Sequence, residues 1–123
     1  MKKLAIALLT LCPNLLFANS ACDTPKDAFD DFYCSNKVYL EADKELNGRY
    51  TKLKNMLDSN GKKLLKESQV SWLEDRNSNC SRHIEEFFFV SIGCAKEITV
   101  ERSNFIQDRI RECSSSGCQN SKL

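Results

Sequence analysis

The sequence predicts an all-α protein, a small antiparallel bundle of three to four helices stapled by disulfides. Three observations support this prediction. Apolar residues recur at spacings of three and four over long segments, as they do along one face of a helix. Only four glycines and two prolines interrupt the 123 residues, whereas folds built from strands and turns need many such breakers. Seven cysteines are many for so short a chain.

The beginning of the chain has the features of an export signal. Lys2 and Lys3 precede an apolar run, and the small residues Ala18 and Ser20 form a site for signal peptidase. We expect cleavage after Ser20. The remaining residues, 21–123, form one domain that ends in a polar tail over 114–123. The expected location is therefore the periplasm or the outside of the cell.

Neither a membrane span nor a lipid anchor is expected. The apolar run before Ser20 is broken by Pro13 and Asn14 and is too short to cross a bilayer. A lipid anchor at Cys22 is disfavoured because the residues just before it lack the aliphatic residue that lipoprotein signals place there.

Six cysteines remain after the expected cleavage, and an even number in an exported chain indicates three disulfides. Six cysteines allow about 15 pairings. Short sequence separations favour Cys22 with Cys34, Cys80 with Cys94, and Cys113 with Cys118. Zinc ligation by these thiolates fits an oxidising compartment poorly, so we expect neither a metal nor another cofactor.

The charge of the chain argues against nucleic-acid binding. Without Lys2 and Lys3, 16 basic and 17 acidic residues remain, so there is no basic excess. Opposite charges are interspersed, as on the solvated faces of helices.

The pattern predicts four helical segments. A short helix capped by Thr24 ends near Tyr33, and Ser35 or Asn36 caps the next helix. That second helix carries a single apolar stripe and stops at a turn over 58–61. The stripe consists of Val38, Ala42, Leu46, Tyr50, Leu53 and Leu57.

The second half of the chain is less regular. A third helix is expected from about Lys62 to Arg82, and the last helix is expected to begin at Thr99 as its cap. Between them, residues 83–98 either continue the third helix or form an apolar loop. The predicted buried residues are Leu65, Ser68 or Gln69, Trp72, Arg76 and Cys80 in the third helix, and Phe105, Ile106 and Ile110 in the last.

Three motifs occur in a fixed order. They are D-x-E-L-N-x-x-Y over 43–50, Q-x-x-W-x-x-x-R-x-x-x-C over 69–80, and C-x4-T-x-E-R over 94–102. In this order they resemble the LprI-type lysozyme inhibitor domain, and the resemblance covers nearly all of residues 21–123. It implies a protein partner, for which a lysozyme is the candidate. The segment between Cys80 and Cys94 departs from the family, which often has Gly-Gly-Ser there.

The motif residues are interpreted mainly as structural. Asp43, Asn47 and Tyr50 share one helix face, and we expect an internal polar network in which Asp43 pairs with Arg76 or Arg102. Buried charges must be paired, which explains such residues without any ligand. A polar binding face is the alternative. The full set is Asp43, Leu46, Asn47, Tyr50, Gln69, Trp72, Arg76, Thr99 and Arg102.

The segment between Cys80 and Cys94 is the candidate partner contact. Phe87, Phe88 and Phe89 cannot all point inward from one helix turn or strand, so at least one is exposed or packed beneath the loop. Arg82 and His83 would suit a lysozyme cleft, which holds two catalytic carboxylates. The alternatives are an apolar structural cluster and an ordinary surface histidine.

We do not expect an enzyme. His83 is the only histidine, and no nucleophile elbow presents a serine. No phosphate loop, dinucleotide fingerprint or metal motif occurs. The resemblance implies inhibition of lysozyme-type muramidases, which we expect to occur by occlusion of the catalytic cleft. The alternatives are an immunity protein against another envelope toxin, and an envelope structural or stress protein with no enzyme target.

Overall fold

Three long helices dominate the computed structural model, which describes residues 20–123. The described elements are α1 (Ser20–Asp23), α2 (Ala28–Met56), α3 (Ser59–Cys80), β1 (Ser81–Ile84), β2 (Phe87–Val90), α4 (Ile92–Ser116) and a C-terminal 3-10 helix (Asn120–Lys122). This confirms the predicted all-α bundle, with one small hairpin added. The predicted export signal lies outside the described residues apart from Ser20.

Helix α2 replaces two predicted helices. Its cap is Asp27, whose side chain accepts the backbone N–H of Asp30 at 2.9 Å, so the prediction of Thr24 as the cap is wrong. Ser35 is buried inside the helix and caps nothing. No glycine or proline lies between residues 28 and 47, so nothing in the sequence stops the helix. Val38 was expected in the buried stripe but is half exposed.

The turn predicted over 58–61 is the start of α3. Helix α2 ends at Met56, and Leu57 has an extended backbone. The side chain of Asp58 then caps α3 by accepting the backbone N–H of Gly61 at 2.6 Å. Turn residues such as Asp and Ser are also good helix starts, which explains the difference. Helix α3 ends at Cys80, two residues before the predicted end.

The segment between Cys80 and Cys94 is a β-hairpin rather than a helix or a loop. Strands β1 and β2 pair antiparallel, with Arg82 opposite Phe89 and His83 opposite Phe88. Glu85 and Glu86 form the turn, and Glu85 has a φ of 54°. Helix α4 follows at once, capped by Ser91, whose hydroxyl accepts the backbone N–H of Cys94 at 3.4 Å.

The predicted cap of the last helix is wrong. Thr99 lies inside α4 and is completely buried. Helix α4 packs along α2 and contacts α3. The fully or nearly fully buried core consists of Leu46, Leu53, Leu57, Leu65, Ile106 and Ile110.

The disulfides follow the pairings that short separations favour. Bonds join Cys22 to Cys34, Cys80 to Cys94, and Cys113 to Cys118. The first ties α1 to α2, the second clamps the base of the hairpin, and the third closes the end of α4.

The polar C-terminal segment is folded onto the bundle. Helix α4 continues to Ser116, and the 3-10 helix then returns to the start of α3. Asn120 donates to the Asp58 carboxylate at 3.1 Å, and Leu123 packs against the core. Within residues 20–123, no helix is both long and apolar enough to cross a membrane.

Candidate functional site

Arg102 joins α4 to α3 through two hydrogen bonds. Its Nε donates to Oε1 of Gln69 at 3.0 Å, and its Nη2 donates to the hydroxyl of Ser68 at 2.9 Å. The guanidinium also lies over the ring of Phe105, 4.9 Å from the centroid. Burial lowers the pKa of Arg102 from its ordinary value, but an arginine remains charged at neutral pH.

Arg76 joins α3 to α2. Its Nη1 atom lies 3.8 Å from Oδ1 of Asp43, so the structure has one of the two pairings expected for Asp43. The other carboxylate oxygen of Asp43 accepts the side-chain amide of Asn47 at 3.1 Å. The Arg76 guanidinium lies over two rings, 5.1 Å from the centroid of Trp72 and 5.8 Å from that of Tyr39.

The remaining motif residues lie in or near the core. Leu46 and Thr99 are buried, and Tyr50 packs against the core cluster. These residues, together with Arg76 and Arg102, link all three long helices. This placement favours the structural interpretation of the motifs, although a polar binding face at the edge of the network stays a prediction.

Two residues of this region were missed by sequence reasoning. Arg49 on α2 donates to the buried hydroxyl of Ser103 on α4 at 2.8 Å, and Tyr39 stacks near Arg76. Tyr39 lies four residues before Asp43, on the same helix face, so the spacing could have identified it. Arg49 lies at an unspecified position of the first motif, and no feature of the sequence pointed to its contact with Ser103.

The hairpin holds the candidate contact residues on two opposite faces. Side chains alternate along a strand, and residues directly opposite each other share a face. One face therefore carries Arg82 and Phe89, and the other carries His83 and Phe88. Arg82 lies 5.7 Å from the ring centroid of Phe89, and the rings of His83 and Phe88 are 4.8 Å apart. The structure does not bring Arg82 and His83 together.

We call the first face the outer face, formed by Arg82, Ile84, Phe87 and Phe89. The second, the inner face, is formed by Ser81, His83, Phe88 and Val90. Phe88 and Val90 of the inner face line a pocket shared with residues of all three long helices, and Arg82 and Phe89 of the outer face line a second pocket beside the end of α3. The five large apolar side chains of the hairpin, Ile84, Phe87, Phe88, Phe89 and Val90, are between 45% and 58% exposed.

The base of the hairpin is firmly anchored. The Cys80–Cys94 disulfide joins the residue before β1 to the first turn of α4. The backbone N–H of Ser91 donates to the carbonyl of Cys80 at 2.8 Å. These bonds reduce the conformational freedom that a partner would otherwise have to remove on binding.

A family comparison adds to this geometry. The model of the family described as lysozyme inhibitor LprI matches residues 22–112. The chain belongs to the LprI family. No curated protein and no solved structure matches it. The matched range includes the arginine network and the whole hairpin of this LprI domain, and it ends just before the Cys113–Cys118 disulfide.

A pocket of about 280 Å³ lies between the hairpin and the helices of the LprI domain. Its wall is largely apolar, and the Arg76 guanidinium is its charged group. Within the described part of the chain, no group of three or more potential metal ligands is suitably placed for an ion. The pocket lining is Tyr39, Arg76, Asn77, Cys80, Ser81, Phe88, Val90, Ile92 and Ala95.

Proposed function

We propose that this LprI domain is an exported inhibitor of lysozyme-type muramidases, which occludes the catalytic cleft with its hairpin. The proposal rests on membership of a family described as lysozyme inhibitors. The observation that carries it is the exposed apolar surface of the hairpin, because aromatic residues clustered at an exposed site are typical anchors of protein interfaces. An inhibitor of this kind needs no catalytic group of its own.

Export is part of the same proposal. Lysozymes act on the cell wall, so an inhibitor must lie outside the cytoplasm. Three disulfides in a domain of this size support that location, because such bonds persist in oxidising compartments. We further propose that the functional domain extends over residues 21–123 after removal of the signal.

The charges of the hairpin favour one orientation in the cleft. Its tip carries Glu85 and Glu86, and a lysozyme cleft holds two catalytic carboxylates. Like charges disfavour insertion by the tip. We therefore propose that the outer face lies across the cleft and presents Arg82 to the catalytic acids, with Phe87 and Phe89 packed against the apolar walls. Because His83 is on the inner face, it takes no part in this contact.

A muralytic assay tests the proposal. The oxidised protein would be titrated against c-, g- and i-type lysozymes, with reduced and alkylated protein as the control. We expect dose-dependent inhibition of at least one class and its loss on reduction, since reduction frees the base of the hairpin. No inhibition of any class at micromolar protein would contradict the proposal and favour the immunity or structural alternatives.

A pair of variants locates the contact surface. Phe89→Ser removes an aromatic side chain from the outer face, and we expect the concentration for half inhibition to rise by about tenfold or more, as for an interface anchor. Val70→Ser on α3 is the matched control, because Val70 is 46% exposed and Phe89 is 45% exposed. Equal effects of the two substitutions would contradict a contact through the hairpin.

A further inference from the structure

The pocket beneath the inner face combines an apolar wall with a buried cation. Tyr39 of α2, Phe88 of β2 and Ile92 of α4 contribute to the wall. Arg76 projects from α3, and its side chain is only 13% exposed. The pocket volume of about 280 Å³ is close to the lower end of ligand sites, which span about 300–1,000 Å³. It suits a single ring or a short chain and is too small for an oligosaccharide.

Arg76 has more hydrogen-bonding capacity than its neighbours use. A guanidinium has five N–H donors. Two of them, on Nε and Nη2, point to the same oxygen of Asn77, at 3.3 and 3.1 Å. Nη1 is buried and forms no hydrogen bond within the described residues, since Asp43 at 3.8 Å provides electrostatic attraction without a hydrogen bond.

A second arginine lies near Arg76, beside the same tryptophan ring. Arg76 and Arg102 both lie over the Trp72 ring, at 5.1 and 5.9 Å from its centroid. Among the described residues, the ion pairs of these two arginines involve one carboxylate, that of Asp43. Its side chain is 42% exposed, so solvent screens part of its charge. Arg76 is the charged residue that lines the apolar pocket, and the carboxylate paired with it is partly solvated.

We infer that the pocket under the hairpin binds a monocarboxylate that carries a short apolar body, with Arg76 as the anchor of the carboxylate. An arginine in a largely buried setting recognises carboxylates strongly because charge-assisted hydrogen bonds gain strength where water is excluded. The apolar body would pack between the inner face of the hairpin and the helices. This inference does not depend on lysozyme inhibition, because it uses the opposite face of the hairpin.

Fluorescence of Trp72 offers a direct test. Trp72 is the only tryptophan and lies beside Arg76, so a ligand at Arg76 changes its emission. Hexanoate would be titrated into the oxidised protein, with hexan-1-ol as the neutral control of equal chain length. We expect saturable binding of hexanoate and at least about tenfold weaker binding of the alcohol, as for a hydrogen-bonded charged group. Equal binding of both compounds, or no binding of hexanoate up to about 10 mM, would overturn the inference.

Two variants and one control substitution separate the anchor from the apolar wall. Arg76→Gln removes the charge, and Arg111→Gln makes the same change at an exposed position on α4. Val90→Phe fills the pocket and leaves the Arg76 network untouched. We expect hexanoate binding to be lost in Arg76→Gln and Val90→Phe and retained in Arg111→Gln. Unchanged binding in Val90→Phe would overturn the inference even if Arg76→Gln failed to fold.

Two sources of this ligand chemistry can be distinguished. A short peptide that ends in leucine would be compared with hexanoate and with the same peptide amidated at its C-terminus. Tighter binding of the free-acid peptide identifies a peptide end as the ligand, and tighter binding of hexanoate identifies a small free acid. Equal binding of the free-acid and amidated peptides would contradict the carboxylate requirement.

Discussion

The side-chain amide of Asn120 donates a hydrogen bond of 3.1 Å to the carboxylate of Asp58, 62 positions earlier in the chain. The same carboxylate oxygen accepts the backbone N–H of Gly61 at 2.6 Å. One side chain therefore starts helix α3 and holds the C-terminal 3-10 helix against it. Both contacts weaken when this carboxyl group is protonated, because it then carries no charge.

Asp58 makes the stability of the protein sensitive to acid. The hydrogen bond from the Gly61 backbone, and then that from the Asn120 side chain, holds the pKa of Asp58 below its ordinary value of 3.8. A group with a lowered pKa in the folded state stabilises fully above its unfolded pKa, and this contribution is lost as pH falls through the folded pKa. Asp58→Asn should therefore lower Tm at pH 7.

The decisive measurement is the pH dependence of the difference in Tm between the original protein and Asp58→Asn. The gap in Tm between the original protein and Asp58→Asn should shrink as pH falls below 3.8 towards about pH 2. Asn120→Ala should reduce the acid sensitivity only partly, because the larger contribution from Gly61 remains. A gap that is the same at both ends of this pH range would contradict the role of the charge.

Two glycines in helices should respond oppositely to alanine. A Cβ at Gly61 would meet the Asn120 side chain and come within 3.1 Å of the Leu57 side chain. Gly61→Ala should therefore cost about 1–3 kcal/mol, as overpacking does. Gly48 lies within α2 with nothing within 4 Å of such a Cβ, so Gly48→Ala should add about 0.5–1 kcal/mol through helix propensity. Urea unfolding measures both, and changes of the same sign would refute the packing argument.

The Asp43–Arg76 pair should contribute modestly to stability. Fully buried pairs cost about 3–5 kcal/mol when one partner is removed, and exposed pairs contribute about 0–1 kcal/mol. Since Arg76 is largely buried and Asp43 is partly exposed, we expect Asp43→Asn to cost about 1–2 kcal/mol by urea unfolding. Glu41→Gln is the control, because it removes the exposed pair with Lys44. A similar loss in both variants would mean that the burial of Arg76 is irrelevant.

The two faces of the hairpin should differ in inhibition. Arg82→Ala removes the cation of the outer face, and we expect about a tenfold loss of inhibition of a susceptible lysozyme. That loss should shrink as salt screens the original contact. His83→Ala on the inner face should leave inhibition within about twofold. A loss in His83→Ala alone would place the contact on the inner face, and no loss in either variant would exclude both residues.

The sequence predicted the buried periodicity of the helices better than their ends. Leu46, Leu53, Leu65 and Ile106 are all buried as expected, because the spacing of apolar residues depends directly on helix geometry. The predicted caps Ser35 and Thr99 instead lie inside helices. Serine or threonine inside a helix lowers its stability by only about 0.5 kcal/mol relative to alanine. Packing against neighbouring helices therefore decides where these residues lie.

The hairpin was not predictable from its turn. Two-residue hairpin turns usually contain glycine or asparagine because they need a positive φ, whereas this turn is Glu85-Glu86. Glu85 nevertheless adopts a φ of 54°. The adjacent aromatic run favours a strand, but the same apolar run also fits a helix. Arg82 and His83 are assigned to opposite faces of the hairpin only when it is known that they are neighbours in a strand.

The disulfide at the base of the hairpin limits the effect of proteolytic cleavage on the protein. The tip at Glu85 and Glu86 is an exposed turn, and exposed loop tips are preferred sites of proteolytic cleavage. A cut there would leave β1 attached to α3 and β2 attached to α4, with Cys80 and Cys94 still covalently joined. The nicked protein would remain a single covalent molecule with both halves of its outer face beside each other.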